Sequence, residues 1–303
     1  MSKHVTIVSH DAGGAEILSS WLKRNNFYAN VVVAGPAEKI FRSKFAELKF
    51  LNLDDALNKT KWLITGTGWE SNFEKEAIYK ARNLGIKTVA FIDHWVNYRE
   101  RFELNGNTIL PDEIWVGDKD AERIANQTFP QTPIIFCPNP YLEDIKNEIS
   151  IIKKKIKNES KLRFLYVCEP IAKHAFKQYG NERYWGYTEV DALEYFLKNF
   201  NIFHEPVKSI TIRPHPSENK DKYLWLKDFK HLPIQIGGEQ KLIEEITSSD
   251  IVVGCESMAM IIALIANRSV ICSIPPGGRP CQLPHSKIQS LQNLIQTKEE
   301  QID

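Results

Sequence analysis

The chain has 303 residues, with 39 Lys and Arg against 38 Asp and Glu, a formal charge of +1. Its 43% hydrophobic and 25% charged residues are those of a water-soluble globular protein long enough for about two domains. Balanced charge argues against a dedicated nucleic-acid binder, and no apolar run approaches the roughly 18 residues of a membrane span. The start, MSKHVTIVSHDAGG, is expected to be a buried strand rather than a signal peptide.

In chain order, the hydrophobic pattern predicts strands at Val5–Ser9, Val31–Ala34, Trp62–Thr65, Thr88–Ile92, Glu113–Val116 and Ile134–Phe136. Helices are expected over Gly14–Asn25 and Asn72–Leu84, the second stopped by Gly85. A lysine-rich stretch, Ile149–Lys161, has the composition of a solvated helix or linker, and a domain boundary is expected there. The alternation then restarts. Strands are expected at Phe164–Val167, Ser209–Ile212, Ile234–Ile236, Asp250–Val253 and Val270–Ser273, and helices at Thr188–Asn199, Glu239–Thr247 and Ser257–Ala266. A polar helix is expected from about His285. This alternation predicts an α/β chain of two Rossmann-like domains facing across a cleft, 1–155 and 156–303, each with a mostly parallel sheet.

Five cysteines, odd in number and without a CxxC pair, support neither a disulfide framework nor a zinc site. They fit small core residues in a reducing cytoplasm.

Ligands of such sheets bind beyond the carboxyl ends of the strands, so residues there are the candidates. The first strand ends in Ser9-His10-Asp11-Ala12-Gly13-Gly14. Gly13 and Gly14 suit close approach of an acceptor, and Asp11 suits either a general base or a helix cap. No GxGxxG or P-loop is present. The third strand leads through small residues to Glu70, an acceptor-binding candidate, and to Ser71, a candidate cap. After the fourth strand, Asp93 and His94 form a candidate acid–base pair. There, Trp95 and Tyr98 are candidates for stacking on a sugar or base, and Arg99 or Arg101 for binding a carboxylate.

In the second half, Arg213-Pro214-His215-Pro216 clamps a histidine between two prolines just past a strand. His215, as imidazolium or proton donor, and Arg213 suit a leaving phosphate. Gly254-Cys255-Glu256-Ser257-Met258 starts a helix whose amides and Ser257 hydroxyl suit a phosphate. Glu256 suits ribose hydroxyls. Met258 and Met260 have the pattern of core residues. The turn-rich Pro275-Pro276-Gly277-Gly278-Arg279 is either a cover for the nucleotide or a plain surface turn.

On these residues the chain resembles GT-B glycosyltransferases. Arg213-Pro214-His215-Pro216 resembles the HP motif of bacterial sialyltransferases and Kdo transferases, and a related stretch of CDP-glycerol glycerophosphotransferases. In those families it faces a cytidine nucleotide's phosphate. Gly254 to Ala259, with Ser257 and Met258, resembles their second phosphate-binding motif. Asp11-Ala12-Gly13 is nearest by position to the acidic motif that supplies the sialyltransferase base. The N-terminal half also looks like UDP-sugar 2-epimerases and the UDP-sugar hydrolase of pseudaminic acid synthesis.

The resemblance implies a cytoplasmic, metal-independent glycosyltransferase. It would move a nonulosonic or Kdo-like acid from a CMP donor to a surface-glycan or protein acceptor. Asp11, or Asp93 with His94, would be the base; Arg213, His215, Gly254, Glu256, Ser257 and Met258 would hold the donor. The nucleotide sugar is a substrate, so no cofactor is implied. The expected partners are the nucleotide sugar and a glycan or glycoprotein acceptor, not nucleic acid; peripheral membrane association is compatible with this. A UDP-sugar epimerase or hydrolase, a CDP-glycerol-type transferase and a non-catalytic GT-B-like binding protein are the alternatives.

Overall fold

β-branched runs such as Val5-Thr6-Ile7-Val8 and Ile251-Val252-Val253 are apolar on both faces, as strands covered by helices on either side require. The structure, a computed structural model, describes residues 4–25, 27–58, 60–68, 71–152 and 161–300. The chain divides into two compact units, Met1–Asp144 and Ile145–Asp303.

The first unit contains β1 (His4–Ser9), α1 (Ala12–Arg24), β2 (Tyr28–Val33), α2 (Pro36–Lys44), α3 (Leu53–Leu57) and β3 (Trp62–Thr65). These are followed by α4 (Phe73–Asn83), β4 (Lys87–Ile92), a small antiparallel hairpin of β5 (Glu103–Leu104) and β6 (Asn107–Thr108), β7 (Glu113–Val116), α5 (Lys119–Thr128) and β8 (Ile134–Phe136). Six strands form a parallel sheet in the order β2-β1-β3-β4-β7-β8. A single parallel bridge, Val31 to Phe50, extends it beyond β2. Trp21, Trp62 and Trp115 meet in its core, with ring centroids 5.8–6.3 Å apart. Gly85, at φ +69°, ends α4 where the sequence predicts.

The division between the units falls within α6 (Pro140–Ile152). Residues 153–160 of the lysine-rich stretch lie outside the described residues.

The second unit contains β9 (Leu162–Val167), α7 (Ile171–Tyr179), α8 (Glu189–Lys198), β10 (Val207–Arg213), a 3-10 helix (Lys220–Asp228) and β11 (Ile234–Ile236). Then come α9 (Leu242–Ser248), β12 (Ile251–Gly254), α10 (Met258–Ile265), β13 (Ser269–Cys272), β14 (Ile288–Ser290) and α11 (Leu291–Glu299). The sheet is again parallel, in the order β11-β10-β9-β12-β13-β14. Thr188 and Asp191 form a reciprocal capping box that starts α8, and Phe164, Tyr166, Phe196 and Phe200 fill the core beneath it.

Each sheet reverses its strand order once, between β1 and β3 and between β9 and β12. A crevice opens there because successive connections leave to opposite sides, so the loops at these two points are where ligands of such sheets bind.

Candidate functional site

In the first unit, the loops after β1, β3 and β4 meet at the reversal point. The Nδ1 of His10 lies 2.6 Å from Asp11 Oδ1. An ionised carboxylate only accepts, so Nδ1 carries the ring proton and Nε2 keeps the lone pair of a base. Asp11 stands at the cap position of α1 but makes no side-chain cap bond; its carboxylate is committed to His10 instead. The His10 amide donates to Glu74 Oε1 at 2.7 Å. Glu74 is 1% exposed, and among the described residues its Oε2 has no hydrogen-bond partner. Burial, reinforced by the charge of Asp11, pushes the Glu74 carboxyl up to about 7.

Glycines make room for these groups. A Cβ on Gly68 would stand 2.5 Å from Asp11 Oδ2, one on Gly35 2.7 Å from His10 Nε2, and one on Gly13 1.9 Å from Asp93 Oδ2. A Cβ on Gly14 would lie 2.9 Å from the Gly66 Cα, so there two backbones touch. Gly13 and Gly14 therefore admit the protein's own groups rather than an acceptor.

The Asp93–His94 stretch differs from expectation. Asp93 Oδ1 accepts from Arg101 Nη1 at 2.6 Å, and Arg101 is buried, bonding also to Thr67 Oγ1 at 3.0 Å and Val96 O at 3.0 Å. Held by a buried guanidinium that also bonds Thr67, Asp93 is a strut that joins the β3 and β4 loops. His94 packs edge-on to Trp95 at 5.6 Å. Trp95 and Tyr98 are 6% and 5% exposed, and Trp95 Nε1 donates to Asp118 at 2.9 Å. Both rings are core, with no open face for a sugar. Arg99 is exposed and lines a separate cavity of about 190 Å³ with Glu103 and Thr128, away from His10. Glu70 lies outside the described residues.

In the second unit, His215 sits just past the end of β10. The Ser217 amide donates to its Nδ1 at 3.2 Å, and the Ser217 hydroxyl lies 2.8 Å from the same atom. A backbone N–H only donates, so Nδ1 is an acceptor and the ring proton sits on Nε2. This is the opposite tautomer to His10.

Arg213 is not beside His215's ring nitrogen but turned to α9: Nη1 donates to Glu245 Oε2 at 2.6 Å and Gln240 O at 3.0 Å. Arg213 thus ties the end of β10 to α9.

At the reversal point between β9 and β12, Glu169 occupies the start of α10. Its Oε1 accepts the amides of Cys255 and Glu256, each at 2.9 Å. Burial pushes this carboxyl up to about 7 against those stabilising amides. The amides expected to meet a phosphate are therefore taken by the chain's own carboxylate. Ser257 caps α10, accepting from the Ala259 amide at 3.0 Å. Glu256 is also engaged: Oε2 accepts from Arg279 at 2.7 Å and Oε1 from the Gln282 amide at 2.6 Å. It fastens the Pro275–Arg279 turn down instead of presenting both oxygens to a ribose. Gly254 is a packing glycine, since a Cβ there would lie 2.8 Å from Val167 Cγ2. Met258 is half-buried as the first residue of α10, and Met260 is core.

A scan of protein-family models gives no match, and a search of curated proteins gives none. Solved structures do match. UDP-GlcNAc 2-epimerase from Methanocaldococcus jannaschii aligns with a TM-score of 0.61 at 12% identity, over 98% of this chain and 92% of that one. The UDP-GlcNAc 2-epimerase from Neisseria meningitidis, bound to UDP-GlcNAc, gives 0.61 at 13% identity over 99% and 91%. A glycosyltransferase from Rickettsia africae gives 0.55 at 12% over 89% and 79%. The chain has a GT-B-type fold. Identities this low carry the fold and nothing finer.

His10, Glu74 and Glu169 escaped the sequence reading as site residues. Each left a signal: His10 directly follows β1 and Glu169 lies two residues past β9, strands that flank the reversal points, and Glu74 is a carboxylate in the first turn of the helix after β3. No group of three or more His, Cys, Asp or Glu able to hold a metal occurs among the described residues. No helix there is long and apolar enough to cross a membrane.

Proposed function

We propose that the protein is a glycosyltransferase that takes a nucleotide sugar as donor. The observation that carries this is the His10–Asp11 pair at the carboxyl end of the first unit's sheet, with Nδ1 2.6 Å from Asp11 Oδ1, the arrangement of a base oriented by a carboxylate. The acceptor hydroxyl loses its proton to His10, its oxygen bonds to the anomeric carbon, and the sugar–phosphate bond breaks toward the nucleotide. Asp11 holds the His10 tautomer and stabilises the imidazolium that forms. This reading assigns the phosphate charge to protein donors, with no metal or cofactor, and a cytoplasmic location.

The finer form of the proposal is a CMP-activated nonulosonic or Kdo-like acid as donor, and a surface glycan or glycoprotein as acceptor. The Arg213-Pro214-His215-Pro216 stretch supports it by resemblance. Calorimetric titration with CMP, CDP and UDP tests it. CMP is expected to bind most tightly; binding of UDP without CMP removes the donor assignment.

A second reading is a UDP-sugar 2-epimerase or hydrolase. The His10–Asp11–Glu74 cluster favours it: Asp11 meets the His10 ring and Glu74 its backbone amide, and an imidazole oriented by a carboxylate also suits proton removal from carbon. Incubation with UDP-GlcNAc and no acceptor separates the two. Free UDP, or the 2-epimer, at enzyme-like rates replaces the transferase reading.

A further inference from the structure

Cys272 is the last residue of β13, and Cys281 follows the Pro275–Arg279 turn. A strand end and a loop thus bring two thiols to one cavity of about 390 Å³, which Ile274, Leu283 and His285 also line. Both cysteines are free; Cys272 is 5% exposed, whereas Cys281 is half-buried. Their thiols share a hydrogen bond. Cys281 Sγ also donates to Cys255 O at 3.5 Å. A thiol has a single proton, so the one shared within the pair is the proton of Cys272.

That arrangement makes the two thiols unequal. The Cys272 S–H, aimed at the Cys281 sulfur, holds the Cys281 thiol below its usual value in spite of burial, and the Leu283 amide adds to this. The same bond, together with burial, pushes the Cys272 thiol up. Cys137, also half-buried but in the first unit, has its thiol pushed up by burial. Cys168 and Cys255 are buried, and their thiols are pushed up as well. Cys281 therefore combines a sulfur inclined to ionise, a second thiol in contact with it and a cavity large enough for a small oxidant. These are the parts of an attacking and a resolving cysteine.

We propose that Cys281 and Cys272 form a dithiol site oxidised by hydroperoxides, with Cys281 as the attacking sulfur and Cys272 as the resolving one. This role is independent of the transferase reading. The Cys281 thiolate attacks a peroxide oxygen: an S–O bond forms, the O–O bond breaks, and the departing hydroxide takes up the proton that Cys281 released. The sulfur is oxidised to a sulfenic acid and the peroxide is reduced. The Cys272 sulfur then attacks the Cys281 sulfur. The S–S bond forms, the S–O bond breaks, and the hydroxyl leaves as water with the Cys272 proton. Loss of the thiolate at Cys281 removes the partner that held that proton in place. The cross-link ties the end of β13 to the loop in which Arg279 and Gln282, on either side of Cys281, bond Glu256 at 2.7 and 2.6 Å. It is placed to act on the segment that fastens the start of α10.

The test uses the full chain, reduced and then freed of reductant. Near neutral pH, iodoacetamide is expected to label Cys281 about tenfold faster than Cys137. Hydrogen peroxide should link Cys272 to Cys281, as read by peptide mapping without reductant, and dithiothreitol should restore both thiols. Cys272→Ser should stop at a sulfenic acid on Cys281 that dimedone traps, whereas Cys281→Ser should leave Cys272 reduced under the same peroxide. Cys137→Ser should form the disulfide as the wild type does. The site is overturned if Cys281 is labelled no faster than Cys137, if peroxide leaves Cys272 and Cys281 unlinked, or if the cross-link joins either of them to Cys255 or to a second chain instead. Labelling and mapping of the wild type decide the matter even where a variant fails to fold.

Discussion

Glu169 accepts the amide of Cys255 at 2.9 Å, and through that bond a carboxylate of the chain sits where the sequence leads one to expect a phosphate. The amides of Cys255 and Glu256, just before the Ser257 cap of α10, favour negative charge, and Glu169 supplies that charge internally. An incoming phosphate at this helix start meets a group of its own sign.

Glu169→Gln removes that charge and keeps an acceptor oxygen for the amides. If the donor phosphate binds at α10, nucleotide affinity should rise about five- to tenfold in the variant. The gain should be larger at pH 8 than at pH 6, because the wild-type carboxyl is neutral below about 7. Titration calorimetry at both pH values checks this. Equal affinities would place the phosphate elsewhere in the second unit.

Glu74 gives a stability prediction with a definite sign. Its carboxyl is raised from 4.5 to about 7 in the fold, so between these values the folded state binds more protons than the unfolded chain. Its contribution is therefore full below about 4.5 and is lost as pH rises through about 7. The shift corresponds to roughly 3 kcal/mol as an order of magnitude. Glu74→Gln, which stays neutral, should flatten the decline in stability between pH 5 and 8 in urea unfolding. A variant with the wild-type pH slope contradicts the buried, unpartnered state of Oε2.

The two histidine tautomers predict different kinetic losses. Asp11→Asn offers His10 an amide, which can donate to Nδ1 and move the ring proton to Nε2; kcat should fall about 100-fold or more, with donor KM little changed. His10→Asn should lose at least as much. At the other site, Ser217→Ala leaves the backbone amide that fixes His215 and should cost under about tenfold, whereas His215→Ala should cost on the order of 100-fold. Nucleotide release from the donor, with and without acceptor, is the measurement.

The glycines divide into two classes. Gly14→Ala or Gly66→Ala sets a methyl against backbone at 2.9–3.0 Å, where no side chain can swing aside, and should destabilise by about 1–3 kcal/mol. Gly85→Ala meets nothing within 4 Å and should cost only about 1 kcal/mol, through its φ of +69°. Midpoints of urea unfolding should follow that order.

Strands were legible because a parallel strand buried on both faces announces itself as a short apolar run. Trp62–Thr65 and Glu113–Val116 need no tertiary information, and neither does the strand-to-helix alternation that makes the chain α/β. α5 was not legible. Its apolar residues are only Ala121, Ile124 and Ala125, and the two alanine methyl groups are what it buries, too little to set a hydrophobic period. β14, only three residues long, and α7, whose buried face is mainly Ile171 and Ala175, escape for the same reason.

The sequence alone determined where chemistry has to lie, since polar residues directly after apolar strands fall at the ligand end of any such sheet. It could not determine which of those residues face a ligand and which face one another. Asp93 and Arg101, eight positions apart, pair because the connection after β4 folds back on itself, and Glu169 and Cys255, eighty-six apart, pair because the sheet order sets β9 beside β12. A charge close to an opposite charge or to unpaired amides is stabilised by that partner, so each pairing turns a candidate ligand into a strut. Only the tertiary structure decides which charges are already satisfied by a partner within the chain.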